Sequence, residues 1–169
     1  WYDASQTVMW WSPDPRMVLF PENLKVAKSM KQELRKEKFR VTFNEDFEAV
    51  INICAAIDRE GQYGTWITPE MKSAFLKLHE LGISKSVEVW QEDELVGGLY
   101  GIYLKEKKMF CGESMFARVS NASKIGFIKW VEHLKEEGVK IIDCQVYTSH
   151  LESLGAEEIS REEFVKFLQ

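Results

Sequence analysis

The sequence predicts a mixed α/β fold in which a largely antiparallel sheet is flanked by helices. Three observations carry that prediction. Residues 84–116 read as extended runs joined by short polar turns, an antiparallel meander. Helical periodicity precedes this stretch, and after it the pattern changes to helix, buried strand and helix. The chain has 169 residues, 45% hydrophobic and 29% charged, which suits one globular domain or one domain plus a fragment.

From the N-terminus, Val8–Trp11 reads as a short strand. Ser12-Pro13-Asp14-Pro15-Arg16 is a stiff loop, because prolines two apart forbid regular pairing. Met17–Phe20 is a second short strand, ended by Pro21. A helix over 25–38 places Lys28, Lys31, Arg35 and Lys38 on one face and Ala27, Met30 and Leu34 on another. Phe39–Phe43 is strand-like. Asp46 then gives an acidic start to an amphipathic helix carrying Phe47, Val50, Ile51, Cys54 and Ile57. Thr68 caps the next helix, with Pro69 at its first position and Gly82 past its end.

In the meander, Ser86–Trp90 and Leu95–Leu104 flank a turn over Gln91–Glu94, and Met109–Phe116 follows a charged turn. Asn121 or Ser123 is positioned to cap a long helix bearing Ile125, Ile128, Val131 and Leu134, closed by Gly138. Lys140–Cys144 is a buried strand. A short helix ending at Gly155, a small strand and a helix over 161–168 complete the chain.

Net charge is −5, which argues weakly against a polyanionic partner. Its distribution argues otherwise. Residues 25–40 hold seven basic residues against two acidic ones, so the remainder carries −10. A chain this polarised can hold a polyanion at one place, or the stretch is simply a solvated face. Cys54, Cys111 and Cys144 are odd in number and far apart, and no CxxC occurs, so neither a zinc site nor a disulfide framework is indicated. Buried, reduced cysteines fit a cytoplasmic protein. No apolar run approaches the roughly 20 residues of a membrane span, and no signal-peptide pattern is present. His79, His133 and His150 show no metal spacing, and no serine sits in a nucleophile elbow. No metal and no cofactor are expected.

Several stretches point to chemistry. In Phe110-Cys111-Gly112-Glu113-Ser114-Met115-Phe116 a carboxylate lies in an apolar strand. Period two puts Cys111, Glu113 and Met115 on one face and Phe110, Gly112, Ser114 and Phe116 on the other. Glu113 is therefore either a buried, paired or working carboxylate or a solvent-facing residue on an edge strand. Ile141-Ile142-Asp143-Cys144-Gln145 ends a hydrophobic strand in polar groups, where α/β folds commonly place ligand chemistry or simply enter a loop. Six tryptophans offer stacking faces or core, and Trp90 is expected in the core. The glycines of Leu95-Val96-Gly97-Gly98-Leu99-Tyr100-Gly101 mark a bulge or a close backbone approach to a ligand. No helix follows them, so they do not form a phosphate loop.

Read together, Trp10–Arg16 (WWSPDPR), Thr65-Trp66-Ile67, Leu78–Gly82, Ser86–Trp90, LVGGLYG over 95–101, GESMF over 112–116, Ala122-Ser123-Lys124, IDCQ over 142–145, Ser153–Ala156, Arg161 and Phe164 resemble the leucyl/phenylalanyl-tRNA–protein transferase family almost end to end. The resemblance implies a GNAT-like acyltransferase domain over 21–169, with 1–20 the remnant of an N-terminal domain whose upstream part is missing. The acetyl-CoA pyrophosphate loop of GNAT enzymes is absent, which counts against an acetyltransferase. It implies transfer of Leu or Phe, and of Met, from aminoacyl-tRNA to proteins beginning with Arg or Lys, marking them for N-end-rule degradation. The enzyme is expected to be a cytoplasmic monomer.

Trp1 and Trp66 match tryptophans lining the adenosine pocket. Leu99, Phe110, Met115, Phe127, Trp130 and Ile142 match the apolar pocket for the amino-acid side chain. Glu113, Asp143 and Gln145 match the reaction centre, with Asp143 expected to orient Gln145. Lys28, Lys31, Arg35 and Lys38 match the patch for the tRNA acceptor stem. Ser84-Lys85-Ser86 departs from the family's usual Ala-His-Ser, and Leu99 stands where a relative can carry Met; both departures bear on specificity rather than catalysis.

Overall fold

The computed structural model describes residues 11–57 and 65–169. Among these, seven strands form one sheet: β1 (Arg16–Leu19), β2 (Arg40–Phe43), β3 (Ser84–Gln91), β4 (Glu94–Leu104), β5 (Met109–Ala117), β6 (Ile141–Gln145) and β7 (Glu157–Ile159). Their spatial order is β2-β3-β4-β5-β6-β1-β7. Every neighbouring pair is antiparallel except β5 and β6, which run parallel. A parallel pair needs a crossover, and helix α4 (Ala122–Glu136) supplies it. The mixed, largely antiparallel sheet is the one the meander predicted. β1 lies inside it, between β6 and β7.

Helices cover both faces. On one, Met30 of α1 (Lys28–Arg35) and Leu151 of α5 (Ser149–Ser153) join the apolar side of α4, packed on Leu99, Phe110 and Ile142. On the other, α2 (Phe47–Ala56) and α3 (Pro69–Glu80) pack on Tyr100 and Phe116. Phe164 of α6 (Arg161–Lys166) meets Val18, Met109 and Ile141 there too, since Cys111 of this cluster pairs with Ile102 of the α2–α3 side.

Local signals set most boundaries. The Asp46 side chain accepts from the Ala49 amide at 3.0 Å, and the Thr68 hydroxyl accepts from that of Met71 at 3.3 Å. The helix predicted over 25–38 is shorter. Ala27 offers no side-chain cap at its start, and Glu37 turns into the left-handed region (φ 47°) past its end. Asn121 precedes α4 with φ 68° and makes no side-chain cap, while Ser123 lies inside the helix. The close approach there is made by Ala122, which is fully buried: a Cβ on Gly97 would come within 2.8 Å of it. Gly97 therefore makes room for α4 rather than for a ligand.

Two aromatic expectations change. Of the strand expected at Val8–Trp11, residues 8–10 lie outside the described residues, and Trp11 is exposed and in no strand. Trp90 is half-buried rather than core; its indole N–H donates to the Thr42 hydroxyl at 2.9 Å and the Arg40 guanidinium lies over its ring. Cys54 is buried, and Cys111 and Cys144 are half-buried.

The fully buried Glu88 organises one edge of the sheet. It accepts from the hydroxyls of Thr42 (2.8 Å) and Ser86 (2.5 Å) and from the amides of Glu45 (3.3 Å) and Asp46 (3.4 Å). Such full pairing is the condition for burying a carboxylate at tolerable free energy.

Candidate functional site

β5 and β6 pair only from Met109–Cys111 to Ile141–Asp143, and then part. Both strands are distorted at that level. In β5, Gly101 pairs with Gly112 and Tyr100 with Ser114, so Glu113 is an extra residue, a β-bulge. In β6, Val18 pairs with Asp143 and Met17 with Gln145, so Cys144 is extra, and Gln145 is left-handed (φ 66°). Gly101 is what the first bulge requires: a Cβ there would lie 2.2 Å from the Cys111 carbonyl oxygen and 2.5 Å from the Phe110 ring.

The bulge overturns the strict alternation expected for this strand. Phe110 and Met115, assigned by period two to opposite faces, both pack into the cluster under α4, whereas Cys111 and Phe116 pack on the other side. An unbroken strand would turn one of the two away. The bulge brings both to the gap between the parted strands.

That gap is a pocket of about 360 Å³, near the small end of the roughly 300–1,000 Å³ usual for small-molecule sites. Its apolar wall holds Leu99, Phe110, Met115, Phe127 and Ile142, with Trp66 at one side. Glu113, Asp143 and Gln145 line it together. Trp130 does not. It is buried one layer back, edge-on to Phe110 with centroids 5.3 Å apart, and borders a different cleft beside His133. It therefore buttresses the wall instead of forming it. Trp1 lies outside the described residues.

The polar end is a connected network. The Arg16 guanidinium grips the buried Asp143 carboxylate through two bonds, Nε to Oδ1 at 2.9 Å and Nη2 to Oδ2 at 2.6 Å. Asp143 Oδ1 also accepts from the Gln145 backbone amide at 3.0 Å. Asp143 is thus bonded to the backbone of Gln145. The Gln145 side-chain amide donates to the Gly112 carbonyl at 2.8 Å, bridging the parted strands, and also reaches Glu113.

Burial, reinforced by the Asp143 charge, pushes Glu113 up to about 7, against the opposing pull of Gln145 and Arg16. This carboxyl exchanges its proton in the neutral range. The thiols of Cys111 and Cys144 are pushed up to about 12, each mainly by burial and then by Asp143, so neither is a nucleophile at neutral pH.

Arg16 stood in the WWSPDPR stretch without a role, and its long-range bond to Asp143 left no periodic signal. Thr148, Leu151, Tyr100 and Val146 also border the pocket. Thr148 and Leu151 arrive through α5, which no motif connected to the site.

The basic stretch divides. Lys28, Lys31 and Arg35 are exposed on one face of α1, opposite the buried Met30, and none forms an ion pair among the described residues. Lys38 lies beyond the helix, its ammonium 5.6 Å from the centre of the Phe39 ring. Among the described residues, no group of three or more His, Cys, Asp or Glu is placed to hold a metal ion, and no helix is long and apolar enough to cross a membrane.

Comparison with known proteins gives concordant results. A family model described as leucyl/phenylalanyl-tRNA protein transferase matches residues 18–169. A leucyl/phenylalanyl-tRNA–protein transferase from Christiangramia forsetii is 69% identical over 168 residues, covering 99% of this chain and 79% of the relative. Proteins of the same description from Flavobacterium johnsoniae and Pseudomonas aeruginosa are 56% and 55% identical over 169 residues, covering the whole chain and 79% and 74% of the relatives. Among solved structures, the C-terminal domain of a protein described as a lysylphosphatidylglycerol synthetase from Agrobacterium fabrum superposes with a TM-score of 0.54 at 11% identity, over 83% of this chain and 49% of that one. This last likeness concerns the fold alone, a mixed sheet flanked by helices.

Proposed function

The chain belongs to the leucyl/phenylalanyl-tRNA–protein transferase family, aminoacyltransferases that take an amino acid from tRNA to a protein, and from that premise we propose that the pocket between β5 and β6 holds the aminoacyl end of the donor. The observation that carries this reading is the pairing of an apolar wall with the Glu113–Gln145–Asp143 network in one small pocket. A leucyl or phenylalanyl side chain, or methionyl, fills the wall of Leu99, Phe110, Met115, Phe127 and Ile142. Such a wall separates similar apolar chains only weakly, about 1–3 kcal/mol per methylene, which suits a donor set of two or three amino acids.

The reaction is aminolysis of an activated ester. The acceptor's α-amine attacks the carbonyl carbon, a C–N bond forms, and the ester C–O bond breaks. The amine surrenders a proton and the departing ribose oxygen gains one. An α-amine has a pKa near 8, so about a tenth is neutral at pH 7 and no covalent intermediate is needed. Positioning then supplies most of the rate.

The Gln145 amide donates an N–H to the Gly112 carbonyl, which leaves its oxygen to accept. An oxygen accepts, so Gln145 orients the attacking amine by receiving one of its N–H bonds. Glu113, titrating near 7, holds the acceptor's cationic end or takes its proton. Acceptors are proteins beginning with Arg or Lys, marked in this way for N-end-rule degradation in the cytoplasm. The exposed face of Lys28, Lys31 and Arg35 receives the tRNA acceptor stem. Every group in this scheme comes from one chain, which is compatible with a monomeric enzyme.

The test is transfer of labelled Leu or Phe from its tRNA to short peptides. Peptides beginning with Arg or Lys should become labelled, and the same peptides beginning with Asp should not. Labelling that ignores the first residue would reject the acceptor assignment.

A further inference from the structure

Building on that reading, we infer that Arg16 is the positioning residue of the reaction centre: it fixes Gln145 by holding Asp143 in a two-bond grip from the neighbouring strand. Arg16 lies on β1, antiparallel to β6, where the register shift between Met17 and Val18 leaves Cys144 bulged. Its guanidinium is largely buried, lies over the Phe164 ring at 4.4 Å, and meets both oxygens of an almost inaccessible Asp143. A carboxylate clamped by such a fork has one orientation.

That orientation has a specific consequence two residues along the strand. Asp143 Oδ1 receives the Gln145 backbone N–H, and Gln145 stands at φ 66°, a conformation an L-residue rarely keeps without surrounding restraint. Holding the backbone there directs the Gln145 side chain across the gap to the Gly112 carbonyl. The line of restraint therefore runs from Arg16 through Asp143 to the Gln145 amide, and none of it requires Arg16 to touch a substrate.

Lysine at position 16 keeps the charge but loses the planar fork. In Arg16→Lys, kcat for transfer from Phe-tRNA should fall about 100-fold, as expected when a reacting group is misplaced by about 1 Å, while KM for Phe-tRNA stays within about three-fold of the parent. If Arg16 works through Asp143, the two act as a unit. The double variant Arg16→Lys, Asp143→Asn should then be no slower than Asp143→Asn alone, within about two-fold. A rise in KM with kcat intact, unchanged kinetics, or losses that multiply would overturn the inference.

A second readout is independent of activity. Hydrogen exchange at the Gln145 amide should accelerate at least about ten-fold in Arg16→Lys, while amides elsewhere in β3 and β4 keep their protection. Unaltered exchange at Gln145 would overturn the positioning role. If the parent protein transfers no amino acid yet Gln145 exchange responds, the proposed function falls and the positioning role stands.

Discussion

Glu113→Gln should leave stability unchanged in acid and raise it above neutral pH. Burial, aided by the Asp143 charge, raises this carboxyl from 4.5 to about 7. The folded protein keeps the proton to a higher pH than the unfolded chain does. Between those values the native state binds more protons, so stability falls as pH rises through about 4.5–7. Glutamine has the same shape and never ionises. The variant-minus-parent difference should therefore begin near zero at pH 4.5 and grow with pH. At about 1.36 kcal/mol per pKa unit it would reach about 3 kcal/mol by pH 8. Solvent screening of a half-buried group trims this to about 2 kcal/mol, or roughly 4–8 °C in Tm for a chain of this size. Paired thermal melts at pH 4.5, 6 and 8 measure it, and titrations common to both proteins cancel in the difference. A difference that stays flat across this range would refute the claim that the Glu113 site resists ionisation.

Other consequences are simpler to read. Glu88→Ala strips four donors of their shared acceptor and should destabilise the protein by at least about 3 kcal/mol in urea unfolding. Gly101→Ala sets a Cβ against the Cys111 carbonyl; the strand must shift, so both stability and transfer should fall, whereas Gly112→Ala, whose nearest contact would be an ordinary 3.6 Å, should remain folded. If Lys31 and Arg35 meet phosphates, changing either to Gln should reduce the slope of log Kd for tRNA against log salt by nearly one unit. An unchanged slope would mark the α1 face as merely solvated.

Much of the fold was legible because its signals are local. Thr68 caps the helix it is expected to cap, Asp46 stands at the start of the helix it is expected to open, and the turn residues of the meander separate strands where they should. The site was legible as membership rather than as geometry. Glu113, Asp143 and Gln145 could be singled out as polar groups in apolar strands, but period two placed Phe110 and Met115 on opposite faces. A bulge adds one residue to one strand, and nothing in a single strand's alternation announces it; only the pairing of Gly101 with Gly112 shows where the count slips. Arg16 stayed hidden for a related reason, since its partner lies 127 residues away. Trp130 illustrates the converse: an aromatic at helical spacing near a pocket belongs to the layer behind it.

In the proposed function the opening between β5 and β6 receives the aminoacyl group. A crystal structure with a non-hydrolysable phenylalanyl-adenosine tests it most directly. The phenyl ring should lie against Leu99, Phe110, Met115 and Phe127, with the α-carbonyl beside Gln145 and Glu113. A ring seated elsewhere, such as in the cleft bordered by Trp130 and His133, would contradict it.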